Sequence, residues 1–328
     1  MDYVRLGSSG LKVSRICLGC MSFGSQFDWM IPEEPSTAIV RKALELGINF
    51  FDTANAYSGG ESERILGRAL RSLGAQRDDI VVATKLFHPW GPGANQGGLS
   101  RKAILHAIDA SLERLCMDYV DLYQIHRFDR DTPIEETLDA LTDLIRVGKV
   151  RYIGASTMAA YQFAKMLYTS DRLRLARFVS MQNNYSLLYR EEEREMIPLC
   201  REEGIGLIPY SPIGGGLLAG SRRTGTVRSH SAMARNRFNR KADEAVIDAV
   251  AAVAQRRGAS AAEVAVAWLL AQPGVTAPIV GATKVEHLEG SLKAVSTKLS
   301  AEEIAALEAP YETQPPLPVY FRPAPPAK

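Results

Sequence analysis

The feature that most constrains this chain is a repeat of short apolar runs separated by longer segments with helical periodicity. Between the runs, apolar residues recur every three to four positions, as on the buried face of a helix. The helices predicted in this way include 133–147, with Thr132 as N-cap and Pro133 at the first helical position, and 190–203, 243–257 and 261–271. Strand and helix alternating in this way predict an α/β fold in which a parallel sheet closes into a (β/α)8, or TIM, barrel. A doubly wound open sheet is the alternative, but no G-x-G-x-x-G motif follows the first run. The eight apolar runs are residues 16–19, 49–52, 80–85, 120–126, 150–156, 178–182, 206–210 and 277–281.

Three segments lie outside the repeat. Residues 3–13 alternate around a glycine- and serine-rich turn, which predicts a β-hairpin that closes the bottom of the barrel. Residues 301–309 predict an extra C-terminal helix, and the tail 310–328 has seven prolines in 19 residues, which favours an extended chain. No interdomain linker is evident, so residues 1–328 are predicted to form a single domain.

The composition narrows the class of protein. The chain has 328 residues, of which 46% are apolar, and its formal charge of +2 excludes a globally basic nucleic-acid-binding protein. Its four cysteines form neither a disulfide framework nor a zinc-ligand pattern, so no metal site is predicted. The N-terminus lacks the layout of a signal peptide, and no apolar run approaches the ~18 residues of a membrane span. We therefore expect a soluble, cytoplasmic protein; the sequence does not indicate its oligomeric state.

Polar side chains end three consecutive strands of the predicted barrel. Asp52 ends the second run, Lys85 the third and His126 the fourth, and Tyr57 follows in the loop after Asp52. Chemistry in such barrels takes place at the carboxyl ends of the strands, so we expect these four side chains to converge. Each alone has an ordinary structural interpretation, such as a helix cap or a solvated rim residue. Together, they indicate proton transfer.

Reduction of a carbonyl by hydride requires a proton donor near the developing oxyanion. A tyrosine phenol, with a usual pKa of ~10, stays protonated near neutrality. The Lys85 ammonium is expected to lower the pKa of Tyr57, and Asp52 is expected to hold Lys85 by a salt bridge. His126 is expected to hydrogen-bond the substrate oxygen. Alcohol oxidation would use the same groups, with Tyr57 as the base.

The chain resembles the aldo-keto reductases, and most closely the branch of aryl-alcohol dehydrogenase-like reductases and potassium-channel β-subunits. The resemblance extends from the hairpin to about residue 295, with all motifs in order. It implies that Tyr57 is the general acid, that Asp52, Lys85 and His126 support it, and that a nicotinamide cofactor binds without a Rossmann domain. The matching blocks are residues 49–57, Thr84-Lys85, 123–126, 154–156, 182–186, 209–212 and 280–284.

The resemblance also implies the cofactor contacts. Ser156 and Gln182, with Asn183 beside them, match the residues at the carboxamide, and Tyr210 matches the ring that stacks on the nicotinamide. Backbone amides of the glycine-rich turn can approach the pyrophosphate because glycine has no side chain in the way. The remaining expected cofactor residues are Ser211, Pro212, Gly214, Leu217, Gly281, Thr283, Lys284 and His287.

The adenosine end decides between NADP(H) and NAD(H). Thr283 and Lys284 open a helix after the last strand and suit a 2′-phosphate, so NADP(H) is favoured. His287 replaces a frequent arginine of the family, Gly290-Ser291 depart from its pattern, and Thr157 replaces a common asparagine, which keeps NAD(H) open. Residues 221–241 carry seven Lys or Arg and no acid. This basic run, which includes Arg222, predicts a belt over the cofactor phosphates or a solvated loop, with a nucleic-acid contact as a third alternative that the scarcity of aromatic residues disfavours.

The substrate is expected to be a small carbonyl compound or alcohol. The candidate wall residues are aromatic, which favours aromatic or bulky aldehydes and ketones, although some are expected only to pack the loops. Two other functions stay open: a nicotinamide-binding regulatory subunit of a channel-like partner, and a barrel isomerase or lyase using Lys85 as a Schiff base. The candidate wall residues are Phe23, Phe27, Trp29, Phe87, His88, Trp90 and Phe128.

Overall fold

The computed structural model describes residues 1–220 and 240–317. Its strands are short, and those of the central sheet are buried. In chain order they are β1 (Tyr3–Arg5), β2 (Lys12–Ser14), β3 (Cys17–Gly19), β4 (Phe50–Asp52), β5 (Val81–Leu86), β6 (Val120–Ile125), β7 (Val150–Ser156), β8 (Phe178–Gln182), β9 (Gly206–Leu207) and β10 (Ile279–Gly281).

The helices alternate with these strands. Short 3₁₀ turns occur at Tyr57–Gly60, Arg77–Asp79, Glu191–Glu193 and Gly214–Ala219. The α-helices are α1 (Glu33–Glu45), α2 (Glu61–Ser72), α3 (Arg101–Leu115), α4 (Ile134–Arg146), α5 (Ala160–Leu173), α6 (Met196–Glu202), α7 (Asp243–Arg257), α8 (Ala261–Ala271), α9 (Val285–Lys293) and α10 (Ala301–Glu308).

Strands β3 to β10 form one parallel sheet of eight strands in the order β10-β3-β4-β5-β6-β7-β8-β9. The sheet closes between its first and last members through single bridges, at Leu207–Val275 and Tyr210–Ile279. The amide of Ile279 donates to the carbonyl of Pro209 at 2.8 Å across this closure. The predicted (β/α)8 barrel is therefore confirmed.

The hydrophobic core has two parts. The larger part lies between the sheet and the surrounding helices, where every second strand residue meets the apolar helix faces. The smaller part combines the inward side chains of the strands with Leu6 and Val13 of the hairpin, both fully buried. The hairpin lies so close to the start of β9 that a Cβ on Gly7, at φ +59°, would approach the Gly204 carbonyl oxygen to 2.5 Å. The prediction that the hairpin closes the bottom of the barrel is confirmed.

Three local predictions differ from the structure. The helix predicted over 133–147 begins at Ile134 with Pro133 as its N-cap, because the Thr132 hydroxyl donates to Asp129 instead. The helix predicted over 190–203 is broken into the turn Glu191–Glu193 and the short α6. The strand predicted over 206–210 pairs regularly only at Gly206–Leu207, since Pro209 has no amide to donate.

The remaining predictions fall partly outside the described residues. Residues 311–317 form neither helix nor strand, and 318–328 lie outside the described part, so the extended tail stays a prediction. Arg222 and most of the basic run lie outside it as well. None of the helices in residues 1–220 and 240–317 is long and apolar enough to cross a bilayer.

Candidate active site

The side chains that end β4, β5 and β6 meet at the carboxyl mouth of the barrel. The Lys85 Nζ lies 2.5 Å from Asp52 Oδ1, 2.8 Å from the Thr53 carbonyl oxygen and 3.3 Å from the Tyr57 hydroxyl. Lys85 has no exposed surface and Asp52 is buried. A buried ammonium is tolerated here because a carboxylate and a carbonyl oxygen accept its protons. The predicted convergence of Asp52, Tyr57 and Lys85 is thus present in the structure.

The loop after β3 holds Tyr57 in place. Tyr57 opens a 3₁₀ turn in which Ser58 has φ +50°, a strained conformation for a residue with a side chain. The Ser58 hydroxyl donates to the Phe23 carbonyl oxygen at 3.3 Å, and a Cβ on Gly24 would approach Ser58 Oγ to 2.3 Å. The glycine therefore permits the close contact that fixes the turn beside Tyr57.

Burial determines the protonation of Tyr57. Burial raises the pKa of the phenol, and it outweighs the Lys85 ammonium, which lowers that pKa as expected. The lowering by Lys85 that the sequence predicts is therefore present, but the net direction is upward because burial is the larger effect. Burial would lower the pKa of Lys85, but the charges and hydrogen bonds of Asp52 and Tyr57 raise it overall. The pair is therefore a protonated phenol beside a protonated amine.

His126 faces the same cluster. Its ring meets the Tyr57 ring edge-on, with centroids 5.7 Å apart, and its buried Nδ1 has no hydrogen-bond partner among the described residues. Burial, followed by the charges of Lys85 and Arg127, lowers the pKa of His126 well below its usual value. A neutral imidazole with an unused ring nitrogen is suited to hydrogen-bond a small polar ligand.

The sequence analysis named His88 only as a wall residue, but the structure places it against His126. The two rings lie 4.7 Å apart at 77°. Burial, with the charge of Arg127, lowers the pKa of His88 to about 4. Both imidazoles are therefore neutral near pH 7.

Two glutamines complete the surroundings of Asp52. The Oδ2 atom accepts from Gln124 Nε2 at 2.8 Å and from Gln182 Nε2 at 2.9 Å, and Gln182 also donates to Gln124 Oε1 at 3.1 Å. Gln124 has no role in the predictions from the sequence. The signal was present, because Gln124 is an amide near the end of β6, two residues before His126.

Ser156, Gln182 and Asn183 lie together at the ends of β7 and β8. The Ser156 hydroxyl donates to the Gln182 carbonyl oxygen at 2.8 Å. Asn183 accepts from the Thr157 amide at 2.9 Å and donates to Glu192 at 2.5 Å, so both ends of its side chain bond within the chain. Thr157 has φ +46°, where a β-branched residue is strained. Asn183 therefore orients the Thr157 backbone, and Gln182 connects this region to Asp52.

The structure also locates the other expected cofactor residues. Tyr210 lies next to the barrel closure, followed by Ser211 at φ +57° and buried Pro212. The turn from Gly214 to buried Leu217 has positive φ at all three glycines, and a Cβ on Gly214 would approach Leu188 Cδ1 to 2.5 Å. Gly281 ends β10, Thr283 follows it, and Lys284 is the N-cap of α9, which carries exposed His287.

The aromatic wall residues divide into two groups. Phe23 is fully buried in the core and offers no surface to a ligand, so we do not retain it as a substrate contact. Trp90 stacks on His106 of α3, and Phe128 packs partly against the core. Trp29 stacks on exposed Phe27 with centroids 5.8 Å apart, and Phe87 contacts His88 edge-on. Trp29 and Phe87 therefore fit the expected wall best.

This fold and mouth define a (β/α)8 enzyme whose polar cluster can donate a proton and hold a small oxygen ligand. Across residues 1–220 and 240–317, no group of three or more His, Cys, Asp or Glu side chains could hold a metal ion. The glycine turn and the unpartnered His126 nitrogen fit a nicotinamide dinucleotide.

Comparison with known proteins identifies the family. Residues 15–312 match the model of the aldo/keto reductase family. The chain is 42% identical to an aldo-keto reductase of Alternaria alternata, over 96% of this chain and 92% of that protein. It is 43% identical to a versiconal hemiacetal acetate reductase of Aspergillus parasiticus, over 95% and 97%. It is also 42% identical to a putative aryl-alcohol dehydrogenase of Schizosaccharomyces pombe, over 94% and 95%.

The chain therefore belongs to the aldo/keto reductase family and is an oxidoreductase, as the sequence analysis predicted. Members of this family generally use a nicotinamide dinucleotide and act on small molecules.

Proposed function

We propose that this enzyme uses NADPH to reduce aromatic or bulky aldehydes and ketones to alcohols, with Tyr57 as the general acid. The observation that carries the proposal is the contact of the Tyr57 hydroxyl with Lys85 Nζ at 3.3 Å, beside the unpartnered nitrogen of His126. When bound, the reduced cofactor supplies the hydride. Tyr57 donates its proton to the carbonyl oxygen as negative charge develops there.

The other residues of the mouth prepare this transfer. Lys85 stabilises the phenolate that Tyr57 becomes, and Asp52 keeps Lys85 protonated and in place. The neutral ring of His126 hydrogen-bonds the carbonyl oxygen and directs it toward the phenol. Burial excludes water from the cluster, which strengthens each of these electrostatic interactions.

The preferences for cofactor and substrate are supported by separate observations. Lys284 and Thr283 at the start of α9 suit the 2′-phosphate of NADP(H), since an ammonium and a helix N-terminus both favour an anion. Trp29, Phe27 and Phe87 offer aromatic surface near the mouth. Two of the similar proteins carry the names aryl-alcohol dehydrogenase and versiconal hemiacetal acetate reductase, which agree with aromatic or bulky substrates.

The test is the oxidation of NADPH by the purified chain with a nitro-substituted benzaldehyde, followed by cofactor absorbance. We expect Tyr57→Phe to abolish turnover while its NADPH affinity, measured by intrinsic fluorescence, stays within about twofold of the wild type. Removal of a general acid typically costs 10²–10⁴-fold or more. The matched control is Tyr168→Phe on α5, whose parent side chain is 68% exposed. Turnover that persists in Tyr57→Phe would refute the assignment of the proton donor.

The same titration distinguishes the cofactors. We expect NADPH to bind at least about tenfold more tightly than NADH, because only NADPH has the phosphate that Lys284 can neutralise. Equal affinities would refute the NADP(H) preference and leave the reductase assignment intact.

A further inference from the structure

The opposite mouth of the barrel holds a cleft with an unusual charge. This amino-terminal cleft has a volume of about 510 Å³ and lies between the hairpin and the segments that lead into β9 and β10. It includes Arg5, Arg15 and Arg201, together with Ser8 and Thr276. No Asp or Glu is among the described residues that line it. It is distinct from the candidate active site, which lies at the carboxyl ends of the strands.

Arg15 is fixed as the inner wall of the cleft. Its guanidinium donates to the carbonyl oxygens of Val275, Thr276 and Leu270 at 2.8–3.1 Å. Burial lowers the pKa of Arg15, and the nearby Asp2 carboxylate only partly opposes that change. Because its bonds are all to neutral carbonyl groups, Arg15 brings a positive charge into the cleft without a direct carboxylate contact.

The two outer arginines have no anionic partner within the described part of the chain. Arg5 is exposed on β1, and Arg201 is exposed in the last turn of α6, with its side-chain stem close to Gly274. Neither forms a salt bridge with any described residue, whereas nearby Glu203 is paired with Arg177. The charges of Arg5 and Arg201 are therefore not neutralised by a salt bridge within the described residues.

The hairpin adds a repulsive pair at the same place. Arg5 of β1 lies directly opposite Lys12 of β2 in the antiparallel register. Like charges directly opposite each other destabilise a strand pair. A bound anion would relieve this repulsion, which gives the arrangement a physical reason that packing alone does not supply.

We propose that the amino-terminal cleft binds a phosphate group, either as inorganic phosphate or as a small phosphate ester. The planar guanidinium fork matches phosphate oxygens in pairs, and Arg is used for this purpose more than Lys where geometry matters. Arg5 and Arg201 supply guanidinium groups that can bind phosphate oxygens, and Arg15 supplies a fixed positive charge. Ser8 and Thr276 add hydroxyl groups to the wall of the cleft.

The test is calorimetric titration of the full chain in dilute chloride buffer, with inorganic phosphate in one arm and glycerol 3-phosphate in the other. We expect binding in at least one arm, and the arm that binds shows whether the phosphate is free or esterified. The double variant R5Q/R201Q should weaken this binding at least about tenfold, since it removes two charge-assisted contacts. Added chloride should weaken it in the wild type, because the outer arginines are exposed.

Two further variants identify the mouth at which phosphate binds. Lys165→Gln removes an exposed lysine on α5, and Lys284→Gln removes the proposed cofactor-phosphate contact at the opposite mouth; both should retain the amino-terminal binding event. The proposal is overturned if the wild type binds neither probe. It is also overturned if R5Q/R201Q binds as the wild type does, or if only Lys284→Gln loses binding.

The fold of the variant is checked by its thermal midpoint. In phosphate-free buffer, Arg5→Gln should unfold at the same temperature as the wild type or higher, because it removes the repulsion from Lys12. Added phosphate should raise the wild-type midpoint and leave that of R5Q/R201Q unchanged. A lower midpoint for Arg5→Gln in phosphate-free buffer would mean that Arg5 stabilises the hairpin by itself, and it would count against the proposal.

Discussion

At the scale of single residues, burial keeps Tyr57, the proposed general acid, protonated, and this effect is larger than that of the neighbouring Lys85 ammonium. The Tyr57 phenol lies beside the Lys85 ammonium, yet its pKa is raised because the loss of water is the larger effect. The neighbouring imidazoles respond in the opposite sense, since burial disfavours their charged forms. Near neutral pH, the cluster therefore holds one proton to donate and two neutral rings.

This protonation predicts the pH dependence of the reaction. Carbonyl reduction needs protonated Tyr57 and neutral His126, so the reduction rate should stay level from about pH 6 to about pH 10. Alcohol oxidation needs the phenolate and should rise across the same range. Rates measured in both directions at saturating cofactor test this. A reduction rate that falls with a midpoint near pH 8 would show that Lys85 dominates and that the phenol pKa is lowered.

Gln124 gives a second prediction at this scale. Gln124→Leu should lower the free energy of unfolding by ~1–3 kcal/mol, because Asp52 and Gln182 each lose a buried partner. It should also lower kcat for reduction, since Asp52 then holds Lys85 less firmly. Urea unfolding and steady-state kinetics measure the two effects. The matched control is the exposed Gln255→Leu on α7, and equal behaviour of the two variants would contradict the role.

The candidate site was predictable from the sequence where a polar residue ends an apolar strand. Asp52, Lys85 and His126 carry that signal, and the structure brings them together with Tyr57. His88 and Gln124 were not assigned to the cluster, because their role depends on which side chains meet across neighbouring strands and loops. The lowering of the Tyr57 pKa by Lys85 was predicted, but the larger effect of burial was not, since the extent of burial is a property of the packed loop rather than of the strand pattern.

At the scale of elements, the C-terminal segment 311–317 holds the loop that follows β8 in place by hydrogen bonds. The Tyr311 hydroxyl accepts from the Arg190 amide at 2.9 Å and donates to Glu191 at 2.8 Å. The Gln314 side chain donates to the Leu188 carbonyl oxygen at 2.9 Å. Leu188 in turn packs on the glycine turn at Gly214. The segment thus supports the turn proposed to approach the cofactor phosphates.

The double variant Y311F/Q314A should therefore loosen this loop. We expect faster amide hydrogen exchange over 188–193 and NADPH binding weakened by about three- to tenfold, with kcat little changed at saturating cofactor. The control is Glu312→Ala, because within residues 1–220 and 240–317 only the backbone carbonyl of Glu312 is bonded, to Arg240. Unchanged exchange over 188–193 would contradict the inference that segment 311–317 holds this loop in place.

Element boundaries were predicted well where periodicity and capping agree, and poorly where local polar chemistry intervenes. The helices Asp243–Arg257 and Ala261–Ala271 match their predictions, whereas the helix expected over 190–203 does not form as one. There, Glu191 and Glu193 bond to Tyr311 and Arg190, so tertiary contacts override the helical pattern.

At the scale of the whole molecule, two neutral histidines, buried His126 and half-buried His88, make stability depend on pH. In the unfolded chain a histidine has a pKa of ~6.5, whereas folded His88 has a pKa of about 4. Below the unfolded value, the unfolded chain binds more protons than the folded one, so stability is lost as the pH falls from about 6.5 toward 4. His126 acts in the same direction.

We therefore expect the free energy of unfolding to decline between pH 6.5 and pH 4.5, by up to ~1.4 kcal/mol per pH unit for each such histidine. Urea unfolding at several pH values measures this decline. The decline with falling pH should be shallower in His88→Phe than in the wild type. Because both proteins have the same carboxylates, the difference between their slopes excludes the carboxylate contribution. An identical slope in the two proteins would show that His88 protonates freely in the folded state.

The whole fold was the most predictable level, because eight buried strands joined by amphipathic helices have few ways to cover both faces of a parallel sheet. The position of the hairpin followed from its alternating pattern. The charge of the amino-terminal cleft was not predictable, because Arg201 is distant in sequence from Arg5 and Arg15 and only the folded barrel brings it to the hairpin.

The way the sheet closes into a barrel determines where the structure opens locally. Strands β5 and β6 are joined by a regular ladder over residues 83–86, while the two ends of the sheet meet only at isolated bridges. Local opening of a structure begins where the fewest backbone bonds must break. The strands beside Tyr210 are therefore the ones that separate most easily. A planar ring stacked on Tyr210 would stabilise this weakest junction of the barrel.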